Sequence, residues 1–271
     1  MTRTATPADV IAGTARWCVV EGEALALLAS LPDASVDAVV TDPPYSSGGA
    51  FRGDRVSQST TQKYVLNGTE LERPDFAGDT RDSHGYQFWC ALWLAECLRV
   101  TRPASPVCLF TDWRQLATTT AALQAGGMVY RGVAVWDKTE AARPTMGRFR
   151  SQCEYLVWGS NGPMPLERES VGCLPGVFRH RVSGDDKHHI TGKPTPLMRE
   201  VVRICEPGGL VLDLFAGSGT TGVAALMEGR RVILCERVAE YAEIARQRCE
   251  AAVEGTNWRR PEQPSLFGAP R

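Results

Sequence analysis

The chain has 271 residues, of which 43% are hydrophobic and 23% are charged. This length and balance are typical of one folded α/β domain or two smaller ones, and they exclude a low-complexity or fibrous protein. A formal net charge of -1 and a pI near 6.4 argue against a surface that is basic throughout. Residues 131–193 nevertheless carry ten Lys and Arg against seven Asp and Glu, so any binding to nucleic acid is expected to be local.

The amino-terminal residues contain no apolar run long enough for a signal peptide or a membrane span, which predicts a cytoplasmic protein without membrane contact. The nine cysteines include no C-x-x-C pair, and several lie in apolar runs, as in PVCLF and VILCE. They are expected to be buried, reduced thiols. The four histidines match no metal-ligand spacing, so no metal site is predicted.

Apolar runs and turn signals divide the first half of the chain into alternating strands and helices. The predicted strands are 17–20, 36–40, 107–110 and 132–136, and the predicted helices are 23–31, 87–99 and 113–125. Residues 46–85 interrupt this pattern. They are rich in Ser, Gly, Thr, Asp and Arg, which predicts a long mobile loop, here expected to engage DNA.

The second half begins with an irregular segment, residues 138–190, in which only the run EYLVW resembles a strand. This composition predicts a small inserted recognition segment. Beyond it the predicted elements are a helix at 195–205, a strand at 210–215, a helix at 220–229, a strand at 231–236 and a helix at 238–255. The alternation predicts an α/β fold with a doubly wound, Rossmann-like sheet over residues 1–255, followed by a flexible polar tail at 256–271.

A glycine-rich motif, DLFAGSGTTG at 213–222, follows a buried strand and leads into a helix. Glycines let the backbone approach a ligand closely, and the amino terminus of a helix presents free N–H donors. Glu236 ends the next strand, where a carboxylate can accept hydrogen bonds from ribose hydroxyls. These features predict a site for a cofactor that contains adenosine.

The same glycines permit a rival interpretation. Gly217, Gly219 and Gly222 match the G-x-G-x-x-G pattern of dinucleotide-binding domains, which would make the protein an oxidoreductase that uses NAD or a flavin. Such a domain needs a second mononucleotide-binding half, and only about 50 residues follow the turn.

A second motif, Thr41-Asp-Pro-Pro-Tyr45, ends the predicted strand at 36–40. Open α/β sheets bind ligands at the carboxyl ends of their strands, so this position predicts an active site. A proline-stiffened turn without a catalytic role is the alternative.

The two motifs together resemble the DNA amino-methyltransferases, in the permuted class whose catalytic motif precedes the cofactor motif. The likeness covers EGEALALLASLPDASVDAVVTDPPY, HITGKPTPLM, DLFAGSGTTGVAA and RVILCERVAEYAEIARQRC, in the order of that class. It implies methyl transfer from S-adenosylmethionine to an exocyclic amino group in double-stranded DNA. Asp-Pro-Pro-Tyr accompanies adenine N6 in this family and Ser-Pro-Pro accompanies cytosine N4, so adenine is the expected base and cytosine the alternative.

Other interpretations of the catalytic motif remain. RNA and protein-glutamine methyltransferases also use an Asn- or Asp-Pro-Pro-Tyr motif, but they resemble enzymes that place the cofactor motif first, whereas Pro43 here precedes the glycine-rich turn. A noncatalytic DNA-binding regulator is a further alternative, and the intact Asp42 beside a complete cofactor motif argues against it.

The resemblance assigns catalysis to Asp42, Pro43, Pro44 and Tyr45. An aromatic amine is a poor nucleophile because its lone pair is delocalised into the ring. The Asp42 carboxylate and the Pro43 carbonyl are expected to accept the two amino hydrogens, and ionised Asp42 opposes the positive charge that develops on nitrogen. Pro44 restricts the backbone that aims this carbonyl. Tyr45 offers a stacking face to a base flipped out of the duplex.

The resemblance also implies the cofactor contacts. Phe215 is expected to pack on the adenosine, and Glu23 stands where the family has an aspartate near the adenine. Thr191, Lys193 and Pro194 match a motif that closes the site around the methionyl group. The whole predicted cofactor set comprises Glu23, Thr191, Lys193, Pro194, Asp213, Phe215, Gly217, Ser218, Gly219, Thr220, Thr221 and Glu236.

Expected partners follow from the same likeness. Arg143, Arg148 and Arg150 lie where the family places its target-recognition region, and arginine suits phosphates and guanine edges; a solvated basic loop is the alternative. Homodimerisation is a further family expectation. In the tail, Gln263-Pro-Ser-Leu-Phe267 resembles the peptide with which bacterial replication proteins bind the sliding clamp, and a solvated tail without a partner is its alternative.

Overall fold

A computed structural model of the protein describes residues 4–45, 81–142, 144, 146–181, 192–256 and 258. Within these ranges the strands are β1 Trp17–Glu21, β2 Ala38–Thr41, β3 Pro106–Thr111, β4 Val129–Asp137, β5 Cys153–Ser160, β6 Val177–Arg179, β7 Leu210–Asp213 and β8 Arg231–Glu236. The helices are α1 Pro7–Ile11, α2 Ala24–Ser30, α3 Ser83–Val100, α4 Leu116–Ala125, α5 Thr195–Val202, α6 Thr220–Met227 and α7 Ala239–Glu254.

These strands form one sheet in the order β1-β8-β7-β2-β3-β5-β4-β6. The first five are parallel neighbours, β5 runs antiparallel to both β3 and β4, and β6 is parallel to β4. The chain continues from β2 to β3 on one side and from β7 to β8 on the other. The sheet therefore has a topological switch point between β2 and β7, which is where open α/β sheets bind their ligands.

The central strands are apolar because both faces of the sheet are covered by helices. Every residue of β2, β3 and β7 is buried, as expected for strands inside an α/β sandwich. Helices α2, α3 and α4 form one core with residues such as Leu28, Trp93 and Leu123, and α5, α6 and α7 form the other with residues such as Leu197 and Ala224. The predicted doubly wound, Rossmann-like α/β fold is confirmed.

Helix α3 begins earlier than the sequence pattern predicts. Asp82 caps it by accepting a hydrogen bond from the Gly85 amide at 2.7 Å, and the helix starts at Ser83. The predicted loop at 46–85 is thus wrong at its carboxyl end, because the first turn of α3 is polar and carries no apolar periodicity. The loop residues 46–80 lie outside the described residues.

The segment predicted as an insertion, 138–190, belongs partly to the central sheet. Strand β5 lies between β3 and β4, and β6 pairs with β4 at the sheet edge. The prediction of a separate inserted segment is corrected accordingly, since the apolar run EYLVW pairs with core strands. Within this segment, the described residues that stand outside the sheet are 138–142, 144, 146–152, 161–176 and 180–181.

Two short elements escaped the sequence analysis. Helix α1 is held by a reciprocal capping box between Thr6 and Asp9, and β6 has only three residues, too few for a periodic pattern. Seven of the nine cysteines are buried, as predicted, whereas Cys153 is half-buried and Cys173 is exposed. Among the described helices, none combines the length with the apolar character of a membrane span.

Candidate active site

One buried hydrogen bond joins the two predicted motifs. Thr41 ends β2, Asp213 ends the neighbouring strand β7, and the Thr41 hydroxyl donates to Asp213 Oδ1 at 2.7 Å. The same carboxylate oxygen accepts the Phe215 amide at 3.0 Å. Burial raises the pKa of Asp213 to about 6, although hydrogen bonds from Thr221 and Thr41 act to lower it. The catalytic strand and the glycine-rich turn are therefore tied to a single buried carboxyl group.

The Asp42 side chain accepts hydrogen bonds from two neighbouring side chains. The Tyr45 hydroxyl donates to Asp42 Oδ1. The Lys193 ammonium donates to Asp42 Oδ2 at 2.5 Å and to the Tyr45 oxygen at 3.0 Å. Both oxygens of the Asp42 carboxylate thus accept hydrogen bonds, and Lys193, predicted as a cofactor contact, instead contacts the predicted catalytic motif.

The Lys193 ammonium lies in an almost closed environment. Its side chain is 6% exposed and lies 5.0 Å from the ring centre of Phe110 and 5.3 Å from that of Tyr45. Glu154 Oε2 is 3.4 Å away. Burial acts to lower the pKa of Lys193, but the carboxylates of Asp42 and Glu154 outweigh it and raise that pKa overall. The two carboxylates therefore favour the charged form of Lys193 beside Asp42.

Opposing effects act on Asp42 itself. Burial raises its pKa above the ordinary aspartate value, while the charge and hydrogen bond of Lys193 and the hydrogen bond of Tyr45 act to lower it. The net direction is upward. Ionised Asp42 accordingly depends on Lys193, because the ammonium favours the charged form of the carboxyl group.

The glycine-rich turn packs directly on α7. Gly217 and Gly219 have φ values of 52° and 81°, in the left-handed region that favours glycine. A Cβ at Gly219 would lie 2.8 Å from Ala245 Cβ. The buried Arg248 donates to the Ser218 carbonyl oxygen at 2.7 Å. The turn is therefore fixed by close packing and by a buried guanidinium before any cofactor binds.

The predicted ribose acceptor lies beside this turn. Glu236 Oε2 accepts the Gly217 amide at 2.8 Å, and Oε1 accepts the Val238 amide at 2.8 Å. Each carboxylate oxygen can accept a second hydrogen bond, so these contacts are compatible with hydroxyl groups of a ligand. Glu23 follows the adjacent strand β1 and pairs with Arg237 at 3.0 Å. Glu23 and Glu236 thus lie at the ends of neighbouring strands, which fits an adenosine-containing cofactor.

Several side chains of the predicted cofactor set point into the protein. The side chains of Asp213, Ser218, Thr220 and Thr221 belong to residues that are at most 7% exposed, and Arg248 contacts the Ser218 and Thr220 hydroxyl oxygens at 3.1 Å. These residues shape the turn, so a cofactor would meet their backbone. Their direct contact with the cofactor stays a prediction.

The aromatic surroundings of Phe215 were not predicted. Its ring centre lies 5.3 Å from that of Trp89 and 5.4 Å from that of Trp93, both on α3. Pro194 is the N-cap residue of α5 and is buried next to Lys193. Thr191 and Arg143 lie outside the described residues, so their predicted roles stay predictions.

The sequence pattern did not predict a role for Glu154, Lys138 or Arg248. Each is a charged residue within or next to an apolar run, and that is the one signal the sequence offered. The Lys138 ammonium lies 3.3 Å from Glu154 Oε1. Their partners lie far away in the sequence, so pairing was not readable from spacing.

Residues 36–247 match the DNA methylase family. YubD of Escherichia coli (strain K12), which carries the name of a methylase, is 30% identical over 86% of this chain and 89% of its own. TTHA0409 of Thermus thermophilus, solved with S-adenosyl-L-methionine, has a TM-score of 0.62, 23% identity, and coverage of 89% of this chain and 97% of its own. The PvuII DNA methyltransferase, named as cytosine-N4-specific, has a TM-score of 0.65, 17% identity, and coverage of 89% and 94%.

The chain belongs to the DNA methylase family that comprises N6- and N4-directed methyltransferases. The family resemblance inferred from the motifs is confirmed, and the dinucleotide-dependent oxidoreductase is excluded as the interpretation of the glycine-rich turn. The structural similarity to TTHA0409 and to the PvuII enzyme supports the assignment of the fold.

The first prediction concerns the dependence of Asp42 on Lys193. Replacing Lys193 by Met removes the cation that lowers the pKa of Asp42, so this pKa should rise further and the carboxylate should be lost at a higher pH. Methyl transfer measured as kcat/KM against pH should show its acidic limb displaced upward. Lys193→Arg, which keeps the charge, should restore most of the wild-type limb. If the acidic limb were unchanged in Lys193→Met, Lys193 would not control the ionisation of Asp42.

The second prediction tests the packing of the turn. Gly219→Ala places a side chain at positive φ, which costs about 1–2 kcal/mol, and forces it against Ala245, which costs about 1–3 kcal/mol more. Gly172→Ala is the matched control, because its φ is 70° and nothing lies within 4 Å of the added Cβ. Urea unfolding should show a clearly larger loss of unfolding free energy for Gly219→Ala. Equal losses would mean that α7 does not restrict the turn.

Proposed function

We propose that the protein transfers a methyl group from S-adenosylmethionine to the exocyclic N6 of a flipped-out adenine in double-stranded DNA. One observation carries this proposal: the Asp-Pro-Pro-Tyr motif and the glycine-rich turn lie at the ends of adjacent strands and share the hydrogen bond between Thr41 and Asp213. A methyl donor at the turn and an amino group at Asp42 would meet at this edge of the sheet.

The residues around Asp42 suit an amine nucleophile. When bound, S-adenosylmethionine supplies an electrophilic methyl group on a sulfonium. The Asp42 carboxylate and the Pro43 carbonyl accept the two amino hydrogens, so the nitrogen lone pair is withdrawn from the ring and directed at the methyl carbon. The negative charge of Asp42 would oppose the positive charge that develops on the nitrogen as it accepts the methyl group from the sulfonium. The same carboxylate would then accept the proton that the methylated nitrogen loses.

Adenine is proposed because the motif is Asp-Pro-Pro-Tyr, the form that accompanies adenine N6 in this family. Cytosine N4 is the second candidate. The PvuII enzyme, whose name states cytosine N4, shares the fold at 17% identity, and the chemistry at the amine is the same for both bases. Product analysis separates them.

The DNA is proposed to bind at the edge of the sheet that carries Asp42. The loop at 138–152 leaves β4 at its carboxyl end and enters the antiparallel strand β5, so it stands at this same edge. Met146 and Phe149 are 95% and 102% exposed there. Arg148 is exposed and has no hydrogen-bonding or ion-pairing partner within the described ranges. Exposed apolar side chains beside cations suit a partner with stacked bases and phosphates.

Further partners belong to the same proposal but rest on sequence alone. The clamp-binding motif Gln263-Pro-Ser-Leu-Phe267 lies outside the described residues. Its docking on a sliding clamp, and homodimerisation, stay predictions.

The third prediction is the direct test of the function. The protein is incubated with unmethylated amplified DNA and S-adenosylmethionine, and the DNA is digested and analysed by nucleoside mass spectrometry. N6-methyladenine is the expected product. Asp42→Asn should abolish product while the affinity for cofactor changes less than about tenfold, because the carboxylate acts mainly in the transition state. Asp33→Asn, which changes an exposed aspartate paired with Arg99, is the control. If N4-methylcytosine were the sole product, cytosine and not adenine would be the target base. Full activity of Asp42→Asn would refute the mechanism.

The fourth prediction tests the DNA edge. Replacing Arg148 and Arg150 by Ala should weaken DNA binding and reduce the slope of log K against log salt by about 1–2, since each phosphate contact contributes about 0.9. Arg203→Ala is the control, because Arg203 is exposed at the end of α5, near the amino end of β7. If Arg203→Ala had an equal effect, the loss of DNA binding would reflect the overall charge of the protein and not a contact at this edge.

The contribution of the apolar residue Phe149 can be measured separately from that of the arginines. Phe149→Ala should reduce flipping of a 2-aminopurine at the target position without changing the salt slope. Leu166→Ala is its match, because Leu166 is 105% exposed in the loop between β5 and β6, which begins at the opposite edge of the sheet. Equal fluorescence of Phe149→Ala and wild-type complexes would remove Phe149 from the DNA surface.

A further inference from the structure

A second, partly buried carboxylate lies close to Asp42. Glu154 is the second residue of β5, and because β5 runs antiparallel, this residue lies at the edge where the parallel strands end. Its side chain is 20% exposed and stands between two cations. Lys138 lies 3.3 Å from Oε1, and Lys193 lies 3.4 Å from Oε2. The described site thus contains two carboxylates and two ammonium groups in one continuous cluster.

One oxygen of Glu154 is incompletely satisfied. Oε2 is buried, and although it is in ion-pair range of Lys193, it accepts no hydrogen bond from any described residue. Leaving a buried acceptor unpaired costs free energy, so such atoms require an explanation. The ammonium that would satisfy Oε2 is instead held 2.5 Å from Asp42 Oδ2. Lys193 therefore has one carboxylate oxygen at hydrogen-bond distance and a second, 3.4 Å away, that it can approach further.

The Asp42 carboxylate, to which Lys193 donates, is also the acceptor that the proposed target amino group needs. The Tyr45 hydroxyl and the Lys193 ammonium already bind the two oxygens of Asp42. An incoming amino group must donate to the same carboxylate. Each oxygen can accept a second hydrogen bond, but a shared acceptor binds the Lys193 ammonium less strongly. A buried ammonium cannot simply leave its carboxylate, because an unpaired buried charge costs several kcal/mol. It needs another anion close by.

We propose that Glu154 is a positioning residue that takes over the Lys193 ammonium from Asp42 when the target amino group binds. This inference rests on the proposed function of Asp42 as the acceptor of that amino group. A small shift of Nζ toward Glu154 lengthens one contact and closes the other, so the charge stays paired throughout. Lys138 holds Glu154 in place from its other oxygen. The carboxylate of Glu154 acts through Lys193 and does not touch the base.

The charge of Glu154 is stable enough for this role. Burial acts to raise its pKa, but the nearby ammonium groups of Lys193 and Lys138 outweigh burial and lower that pKa overall. In turn, Glu154 helps to raise the pKa of Lys193, which also faces Asp42 and the Tyr45 hydroxyl. Removing the charge of Glu154 should therefore lower the pKa of Lys193, and the alkaline limb of the rate profile should move to lower pH.

The fifth prediction is that Glu154→Gln slows methyl transfer on the order of 10²-fold, as expected when a group at the reaction centre is misplaced by about 1 Å. Transfer is measured in single turnovers with saturating tritiated S-adenosylmethionine and amplified DNA, across neutral and alkaline pH. The cofactor affinity should stay close to wild type, and the alkaline limb should shift downward. Glu96→Gln, which neutralises a carboxylate paired with Arg99 on α3, should leave all of these unchanged.

A double variant distinguishes two explanations of a slow rate: loss of the acceptor for the Lys193 ammonium, and a change in the net charge of the cluster. Glu154→Gln with Lys138→Met removes one charge of each sign, so it restores the net charge of the cluster but not the acceptor for Lys193. The slow rate should persist. Wild-type rate and pH profile in Glu154→Gln, or full recovery in the double variant, would overturn the proposal. The identity of the wild-type product tests the proposed function separately, because the role of Glu154 is the same for an adenine or a cytosine amine.

Discussion

The hydrogen bond between Thr41 and Asp213 is the interaction on which the site depends. It crosses the switch point of the sheet and joins the last residues of β2 and β7, 172 positions apart in the chain. From these residues the chain continues into the catalytic motif on one strand and into the glycine-rich turn on the other. Both residues are almost completely buried, so the bond is shielded from water. A shift of either strand would move Asp42 away from the glycine-rich turn.

The antiparallel strand β5 adds what the parallel sheet cannot supply. In a parallel strand the second residue lies at the edge remote from the ligand, whereas in β5 it lies at the ligand edge. Glu154 therefore reaches Lys193, and Lys193 reaches Asp42. A buried cluster of this kind is tolerable because its charges are paired. The pairing with Lys193 favours the charged form of Asp42 and opposes the effect of burial on its pKa.

The proposed cofactor turn and the proposed DNA surface differ in how closely they are packed. The glycine-rich turn is fixed by Ala245 and Arg248 of α7, so its backbone is preorganised for a cofactor. The loop at 138–152 instead exposes Phe149 and Arg148 on the same edge of the sheet. A rigid cofactor turn beside exposed loops is a common arrangement for enzymes that bind a small cofactor and a large substrate.

The sequence by itself determined the α/β class, the order of most elements and both motifs, because buried strands leave continuous apolar runs and ligand turns require glycine. It also identified the family, since four motifs occur in a defined order. It could not determine that β5 enters the sheet antiparallel, that α3 begins at Ser83, or that Lys193 lies on Asp42 with Glu154 beside it. Those features depend on contacts between residues far apart in the chain. Only the packed sheet brings such charges together, and burial then sets their pKa values.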